Sequence, residues 1–155
     1  MENQAAILRG IAQHVGLPTL REVASSAGVQ AAYRVSIHYF DRRARDSAAT
    51  LTFSRVNGAV LNVVFLGALG HKPLTHPVAP SRYDAFVRAL QMMRFDNLHD
   101  QPDLPLHGVD LWMVERAAGG YVKSIILAPE LARGIYGTLV DTVREYLPAA
   151  LRVVT

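Results

Sequence analysis

The first 30 residues show two successive segments with helical character. The apolar face of a helix predicted over 3–15 consists of Ile7, Leu8, Ile11 and Val15. Thr19 and Glu22 then have the spacing of a capping box, in which each side chain satisfies a free backbone N–H group of the other residue. The pattern therefore predicts two helices in succession, the second of which ends near Gly28.

After the second helix, the hydrophobic pattern changes to the alternation of a β-strand. The apolar members of this alternation over 30–40 are Tyr33, Val35, Ile37 and Tyr39. A second alternating segment covers 49–54. Asn57-Gly58 follows, a strong signal for a two-residue hairpin turn, and leads into an apolar return segment over 59–66. We therefore predict three consecutive antiparallel strands, of which the third is covered on both faces.

The second half of the chain predicts a helix, a hairpin and a last helix. The first helix is predicted over 81–93, the two strands over 109–117 and 121–127, and the last helix over 133–147. The order of elements is thus αα-βββ-α-ββ-α. Because hairpin connections dominate, the sequence predicts one α+β domain over 1–155. We expect a five-stranded antiparallel sheet with helices packed on one face.

Composition narrows the classes of function. The chain has 155 residues, 16 basic and 13 acidic side chains, a formal net charge of +3 and no cysteine. Disulfides, thiolate metal ligands and a cysteine nucleophile are therefore excluded. The sequence shows neither a signal-peptide pattern nor an apolar run long enough for a membrane span, so we expect a cytoplasmic protein without membrane contact.

The basic residues are concentrated in the first half of the chain. Arg42, Arg43 and Arg45 form the densest cluster, and Asp41 and Asp46 flank it. Such a cluster is compatible with a nucleic-acid-binding face, but short charge clusters are more often solvated loops. Nucleic acid is therefore an allowed partner that the sequence does not favour.

Two loops contain histidines and aspartates that could form an enzyme site. The loops flank the central helix and hold His71, His76, His99, His107, Asp100, Asp103 and Asp110. That helix separates its two ends by roughly 20 Å, so the loops must fold back to meet. Paired ligand spacing and thiolates are absent from the sequence, and we predict no tightly bound metal and no cofactor.

A hydrolytic site has even less support. Ser36 and His38 lie on the same face of the predicted strand, but no nucleophile elbow and no orienting acid accompany them in the sequence. We therefore assign no catalytic residue.

The segment LREVASSAGV over 20–29, followed by His38-Tyr39-Phe40, resembles the helix-turn-helix of tetracycline-repressor-type regulators. In that family, the recognition helix follows the Ala-Gly-Val segment and reads the major groove of DNA. The resemblance implies a DNA-binding regulator that uses residues 19–40. The alternation over 33–39 instead predicts a strand at the same place.

Residues 83–129 contain a helix with phenylalanine, a loop with prolines and then Gly108, Trp112, Glu115, Tyr121 and Pro129. This pattern resembles a group of small bacterial proteins that are uncharacterised, and the resemblance implies no activity. From the residues alone, we interpret Trp112 as an anchor of the core or of an interface. Glu115 is placed to pair with Lys123 or Arg116 on the hairpin.

The leading functional hypothesis is a non-enzymatic binding or interaction module of the bacterial cytoplasm, of the adaptor or immunity type, because polar residues do not converge in the sequence. The alternatives are the DNA-binding regulator and a small enzyme that uses the loop histidines and aspartates. The candidate binding residues are Trp112, Glu115, Tyr121, His76, His99 and Asp103.

The edges of the predicted sheet suggest self-association. Lysines are scarce and the prolines lie outside the predicted strands, so the usual devices that blunt an edge strand are few. We therefore expect a homodimer. A different protein is a second possible partner.

Overall fold

The computed structural model of the protein describes residues 2–67 and 73–154. The helices are α1 (Glu2–His14), α2 (Leu20–Ala24), α3 (Pro80–Met92) and α4 (Ile135–Tyr146). The strands are β1 (Val29–His38), β2 (Ser47–Ser54), β3 (Gly58–Phe65), β4 (Leu74–Val78), β5 (Leu111–Ala118) and β6 (Tyr121–Leu127). His71, one of the candidate histidines, lies outside the described residues. Within the described part of the chain, no helix is long and apolar enough to cross a membrane.

The central strand β1 confirms the alternation predicted over 30–40. Tyr33, Val35 and Ile37 are buried on one face of the strand, and Tyr39 continues the same core just beyond its end. β1 pairs antiparallel with β2 on one side and with β5 on the other. The period of two thus marks a strand that lies in the middle of the sheet.

The sheet has six strands in the described part of the chain, whereas the sequence predicts five. Their order is β4-β3-β2-β1-β5-β6, and every neighbouring pair is antiparallel. The additional strand β4 lies in a segment that the sequence predicts as a loop. His76 and Pro77 weaken the strand signal of this segment in the sequence, because proline is depleted in strands and histidine is not a typical strand residue.

Helices cover both faces of the sheet, whereas the sequence predicts helices on one face. The face of β1 that carries Tyr33 belongs to the larger core, to which α3 and α4 contribute Phe86, Leu90, Leu139 and Val143. The opposite face packs against α1 and α2, which contribute Leu8, Ile11, Leu20 and Ala24. The strand residues beneath these two helices include Ala32, Ala48 and Ala117, all fully buried. Small side chains let the helices approach closely, but they give only a weak hydrophobic signal in the sequence.

The β2–β3 hairpin is confirmed, but its turn is not the two-residue turn that Asn57-Gly58 predicts. Ser54 pairs with Gly58, so the loop spans 55–57. Gly58 has a φ of 66°, and the Asn57 N–H donates to the Ser54 hydroxyl at 3.0 Å. The loop therefore has three residues, and the left-handed residue is Gly58, the first residue of β3.

Candidate binding site

One half of the β6 edge is covered by the loop between α3 and β5. The Ile126 N–H donates to Asp100 Oδ1 at 2.8 Å, and the Ile126 carbonyl accepts from the Gln101 N–H at 2.9 Å. Gln101 Oε1 accepts a further hydrogen bond from the Ala128 N–H at 2.9 Å. The loop thus ends the sheet along the C-terminal half of β6.

The other half of the β6 edge is open. Ile126 directs its backbone groups away from β5, and in an antiparallel pair every second residue does the same, so Ser124 and Val122 share this direction. Over residues 2–67 and 73–154, their outward N–H and C=O groups have no hydrogen-bond partner. An unpaired row of this kind can accept another strand.

The opposite edge of the sheet, strand β4, is blunted. The strand has only five residues, and Pro77, which lies opposite Val60 of β3, has no N–H group to donate. The expectation that all prolines lie outside strands is therefore wrong at Pro77. Of the two edges that the structure describes, β6 is the better suited to strand addition.

A groove runs beside the open half of β6, on the face of the sheet that α3 covers. Its cavity has a volume of about 530 Å³ and is lined by the end of α3, the turn Phe95–Asn97, Tyr33 and Arg116. Arg116 lies between Tyr33 of β1 and Lys123 of β6, so a row of three side chains crosses the sheet to the open edge. Burial raises the pKa of the Tyr33 hydroxyl, which therefore stays protonated and can donate a hydrogen bond.

Arg116 is held in place by two contacts. Its Nη2 donates to Asp96 Oδ2 at 2.9 Å, and its guanidinium carbon lies 5.3 Å from the centre of the Tyr121 ring. Asp96 Oδ1 is buried and has no hydrogen-bond partner among the described residues. Tyr121 is 44% exposed and lies on the same face of the sheet as Arg116, next to the groove wall that Arg116 forms.

Positive charge dominates around the open edge. Arg94 lines the groove in a left-handed backbone conformation with a φ of 53°, at a helix end where glycine is usual. On the other side of the β5–β6 turn, Arg21 Nη1 donates to the Gly120 carbonyl at 2.8 Å. Together with the two cations of the row, these arginines outnumber the two nearby carboxylates, Asp96 on the groove wall and Asp100 at Ile126. The open edge therefore favours a negatively charged partner.

Glu115 lies on the opposite face of the sheet from Arg116 and Lys123, so the predicted pairing with either is wrong. Its neighbour on β1 is Arg34, which is 3% exposed and donates from Nε to Thr50 Oγ1 at 2.9 Å. Burial raises the pKa of Glu115, and the positive charge of Arg34 opposes that shift. The two residues line a small cavity of about 140 Å³ beneath α1 and α2, apart from the groove.

The remaining candidate residues do not form one site. Trp112 is 5% exposed and packs in the larger core. His76 lies on β4, whereas His99 and Asp103 lie in the loop beside β6. The five strand spacings between these edges amount to roughly 24 Å. In the ranges that the structure describes, no group of three or more His, Cys, Asp or Glu side chains could hold a metal ion.

The segment that resembles a helix-turn-helix has a different structure from the one that the resemblance implies. The capping box is present, since Thr19 Oγ1 accepts from the Glu22 N–H at 3.2 Å and Glu22 Oε1 from the Thr19 N–H at 3.4 Å. The helix that it starts has only five residues. The place of the recognition helix is occupied by β1, which lies in the centre of the sheet.

Comparisons with family models and with curated proteins were made for the sequence. No family model matches the sequence, and no curated protein matches it at a significant level. A functional assignment therefore rests on the geometry of the β6 edge and of the groove beside it. This geometry combines an unpaired strand edge with a basic groove.

Proposed function

We propose that the protein is a non-enzymatic binding module that adds an extended, acidic segment of a partner protein to the open half of β6. The observation that carries this proposal is the outward row of Val122 and Ser124 next to the basic groove. Main-chain hydrogen bonds to such a row supply affinity, and pockets for alternate side chains supply specificity.

The alternation of side chains defines the segment that fits. In an added strand, every second side chain projects to the face of Arg116, Lys123 and Tyr121. Carboxylates at those positions match the cationic side chains. The intervening side chains project to the face of α2, where Val122 packs against an apolar cluster. The favoured segment therefore alternates acidic and apolar residues.

A second copy of this chain is the competing occupant, because we expect a homodimer from the sequence. A two-fold axis that pairs the open halves of two β6 strands lies close to Lys123 and brings this residue opposite its own copy. Like charges directly opposite each other on neighbouring strands are destabilising. The charge at the edge therefore favours an acidic partner over a second copy.

The test uses a fluorescein-labelled peptide of about eight residues in which Glu and Val alternate, with binding measured by fluorescence anisotropy. Ser124→Pro removes one outward N–H group and leaves the pairing with β5 in place. We expect this variant of the full chain to bind the peptide roughly tenfold more weakly, or worse. Ser124→Ala keeps the N–H group, and Thr75→Pro makes the same change on the β4 edge, so both should bind normally. Circular dichroism verifies that each variant is folded.

Two results would contradict the proposal. One is equal binding by Ser124→Pro and the unmodified protein, and the other is equal affinity for a peptide with Lys in place of Glu. Light scattering after size exclusion tests the competing occupant. A mass of twice 17.0 kDa that falls to 17.0 kDa in Ser124→Pro would assign the edge to a homodimer instead.

A further inference from the structure

A second cavity, of about 850 Å³, lies at the other end of the sheet from the β5–β6 turn. Its walls are α1, the loop 39–46 that follows β1, and Leu66 and Gly67. A volume of this size falls within the range of small-ligand sites, about 300–1,000 Å³. The residues that line it are independent of the β6 edge, so a ligand here adds to the proposed peptide site.

The loop 39–46 is fixed at both of its ends. Asp110 is 5% exposed, accepts a hydrogen bond from the Phe40 N–H at 3.2 Å and binds the guanidinium of Arg43. Asp46 accepts from the backbone N–H that follows β1 at 2.9 Å. The loop therefore holds its other side chains at defined positions along the cavity wall.

Two arginines of this loop have charge available for a ligand. Arg43 is already paired with two carboxylates. Arg42 makes no side-chain hydrogen bond to any described residue, and its φ of 56° is left-handed. Arg45 has one long contact, 3.4 Å from Nη1 to the Leu66 carbonyl. Arg42 and Arg45 both line the cavity and are exposed.

His14 and His38 each keep one ring nitrogen for a ligand. His38 Nδ1 donates to Asp46 Oδ2 at 2.8 Å, and His14 Nδ1 donates to the Gly10 carbonyl at 2.6 Å. Because carboxylate and carbonyl oxygens only accept, Nδ1 carries the proton in both rings. Both rings line the cavity. With the proton on Nδ1, the Nε2 atom of each ring can accept a hydrogen bond from a hydroxyl group of a ligand.

A patch of exposed apolar side chains adjoins the cavity. Phe40 is 45% exposed, Ile7 is 44% exposed and Leu106 is 69% exposed. These three side chains line a smaller pocket of about 180 Å³, which shares Ile7, His38 and Phe40 with the main cavity. Exposed apolar side chains that cluster at a polar cavity indicate a ligand with an apolar or aromatic part.

We propose that this cavity binds a nucleoside monophosphate. The phosphate group matches Arg42 and Arg45, because guanidinium groups bind phosphate oxygens in a bidentate manner. The ribose hydroxyls can donate to the Nε2 atoms of the two imidazoles. The base matches the exposed ring of Phe40, since every nucleobase can stack on an aromatic side chain. The nearby carboxylates are occupied, Asp46 by His38 and Asp110 by Arg43.

The test is isothermal titration calorimetry of the full chain with AMP, adenosine and inorganic phosphate. AMP should bind roughly tenfold or more tightly than either of its parts. The double variant Arg42→Ala/Arg45→Ala should weaken AMP binding by roughly tenfold or more and leave adenosine unaffected. Phe40→Ala should weaken AMP but not inorganic phosphate. Arg55→Ala, an exposed arginine on the β2–β3 turn, is the matched control.

Three results would overturn the assignment. They are the absence of AMP binding at millimolar concentration, unchanged AMP affinity in the double arginine variant, and equal affinity for AMP and inorganic phosphate. Ser124→Pro should retain AMP binding, so failure at this cavity can be distinguished from failure of the peptide site on β6.

Discussion

Arg94 occupies a backbone conformation for which glycine is the usual residue. It follows the end of α3 with a φ of 53° and a ψ of 54°, and a left-handed non-glycine residue costs roughly 1–2 kcal/mol. Arg94→Gly relieves that strain, although glycine loses about 0.5–1 kcal/mol more entropy on folding. We predict a free energy of unfolding in urea that is unchanged or raised by up to about 1 kcal/mol. Affinity for the acidic peptide should fall, and a large loss of stability would contradict this interpretation.

Asp96 forms an ion pair with Arg116 and thereby offsets its positive charge at the groove. The side chains of the ion pair are 27% and 40% exposed, so the pair contributes about 0.2–1 kcal/mol. Asp96→Asn removes the carboxylate and frees the guanidinium. We predict that the acidic peptide binds roughly two- to fivefold more tightly at low salt and that high salt removes this gain. Weaker binding in anisotropy at low salt would show that Asp96 acts mainly by positioning Arg116.

Glu115 links the stability of the fold to pH. Burial raises its pKa above the ordinary value of 4.5, so folding favours the protonated carboxyl. Its contribution to stability is therefore fully present below pH 4.5 and is lost as the pH rises through the raised pKa. Glu115→Gln abolishes this titration, and its stability relative to the unmodified protein should increase as the pH rises above 4.5. Urea unfolding at several pH values measures the difference. A relative stability that decreases over that range would mean that the pKa is lowered instead.

At the scale of elements, the hydrophobic pattern predicts a strand well when that strand is buried by the elements around it. β1 has bulky side chains on its larger-core face, and the alternation is therefore plain in the sequence. β4 has a partner on one side only, so Pro77 is tolerated there and the sequence resembles a loop. The packing of α1 and α2 on the sheet is equally hard to predict from the sequence, because the strand residues beneath these helices include alanines.

The loop that covers β6 depends on Gln101. Its Nε2 donates to the Leu131 carbonyl at 2.9 Å and its Oε1 accepts from the Ala128 N–H at 2.9 Å. Gln101→Ala leaves the N–H group of the buried Ala128 without a partner, which costs about 1–3 kcal/mol. We predict a loss of unfolding free energy of that size and faster amide exchange at Ala128. Asp103→Asn, an exposed change in the same loop, is the control. Equal stability of both variants would exclude this anchoring role.

At the scale of the whole molecule, the groove is formed by residues from distant parts of the sequence. Arg94 comes from the end of α3, Asp96 from the following turn, and Arg116 from β5. The register of β1 against β5 places Tyr33 beside Arg116, and the packing of α3 brings Arg94 and Asp96 to them. A sequence states neither the register nor the packing. Tyr121 is a candidate from the pattern over 83–129, and the structure places it on the same face of the sheet as Arg116. The unpaired backbone groups of Val122 and Ser124 depend only on how the strands pair, so the side-chain pattern of the sequence does not reveal them.

The most direct measurement of the central claim is residue-resolved amide hydrogen exchange of the full chain, with and without the alternating Glu and Val peptide. Strand addition predicts slower exchange at Val122 and Ser124, because their N–H groups become paired, and unchanged exchange at Thr75 on the β4 edge. Unchanged exchange at Val122 and Ser124 under saturating peptide would contradict the account.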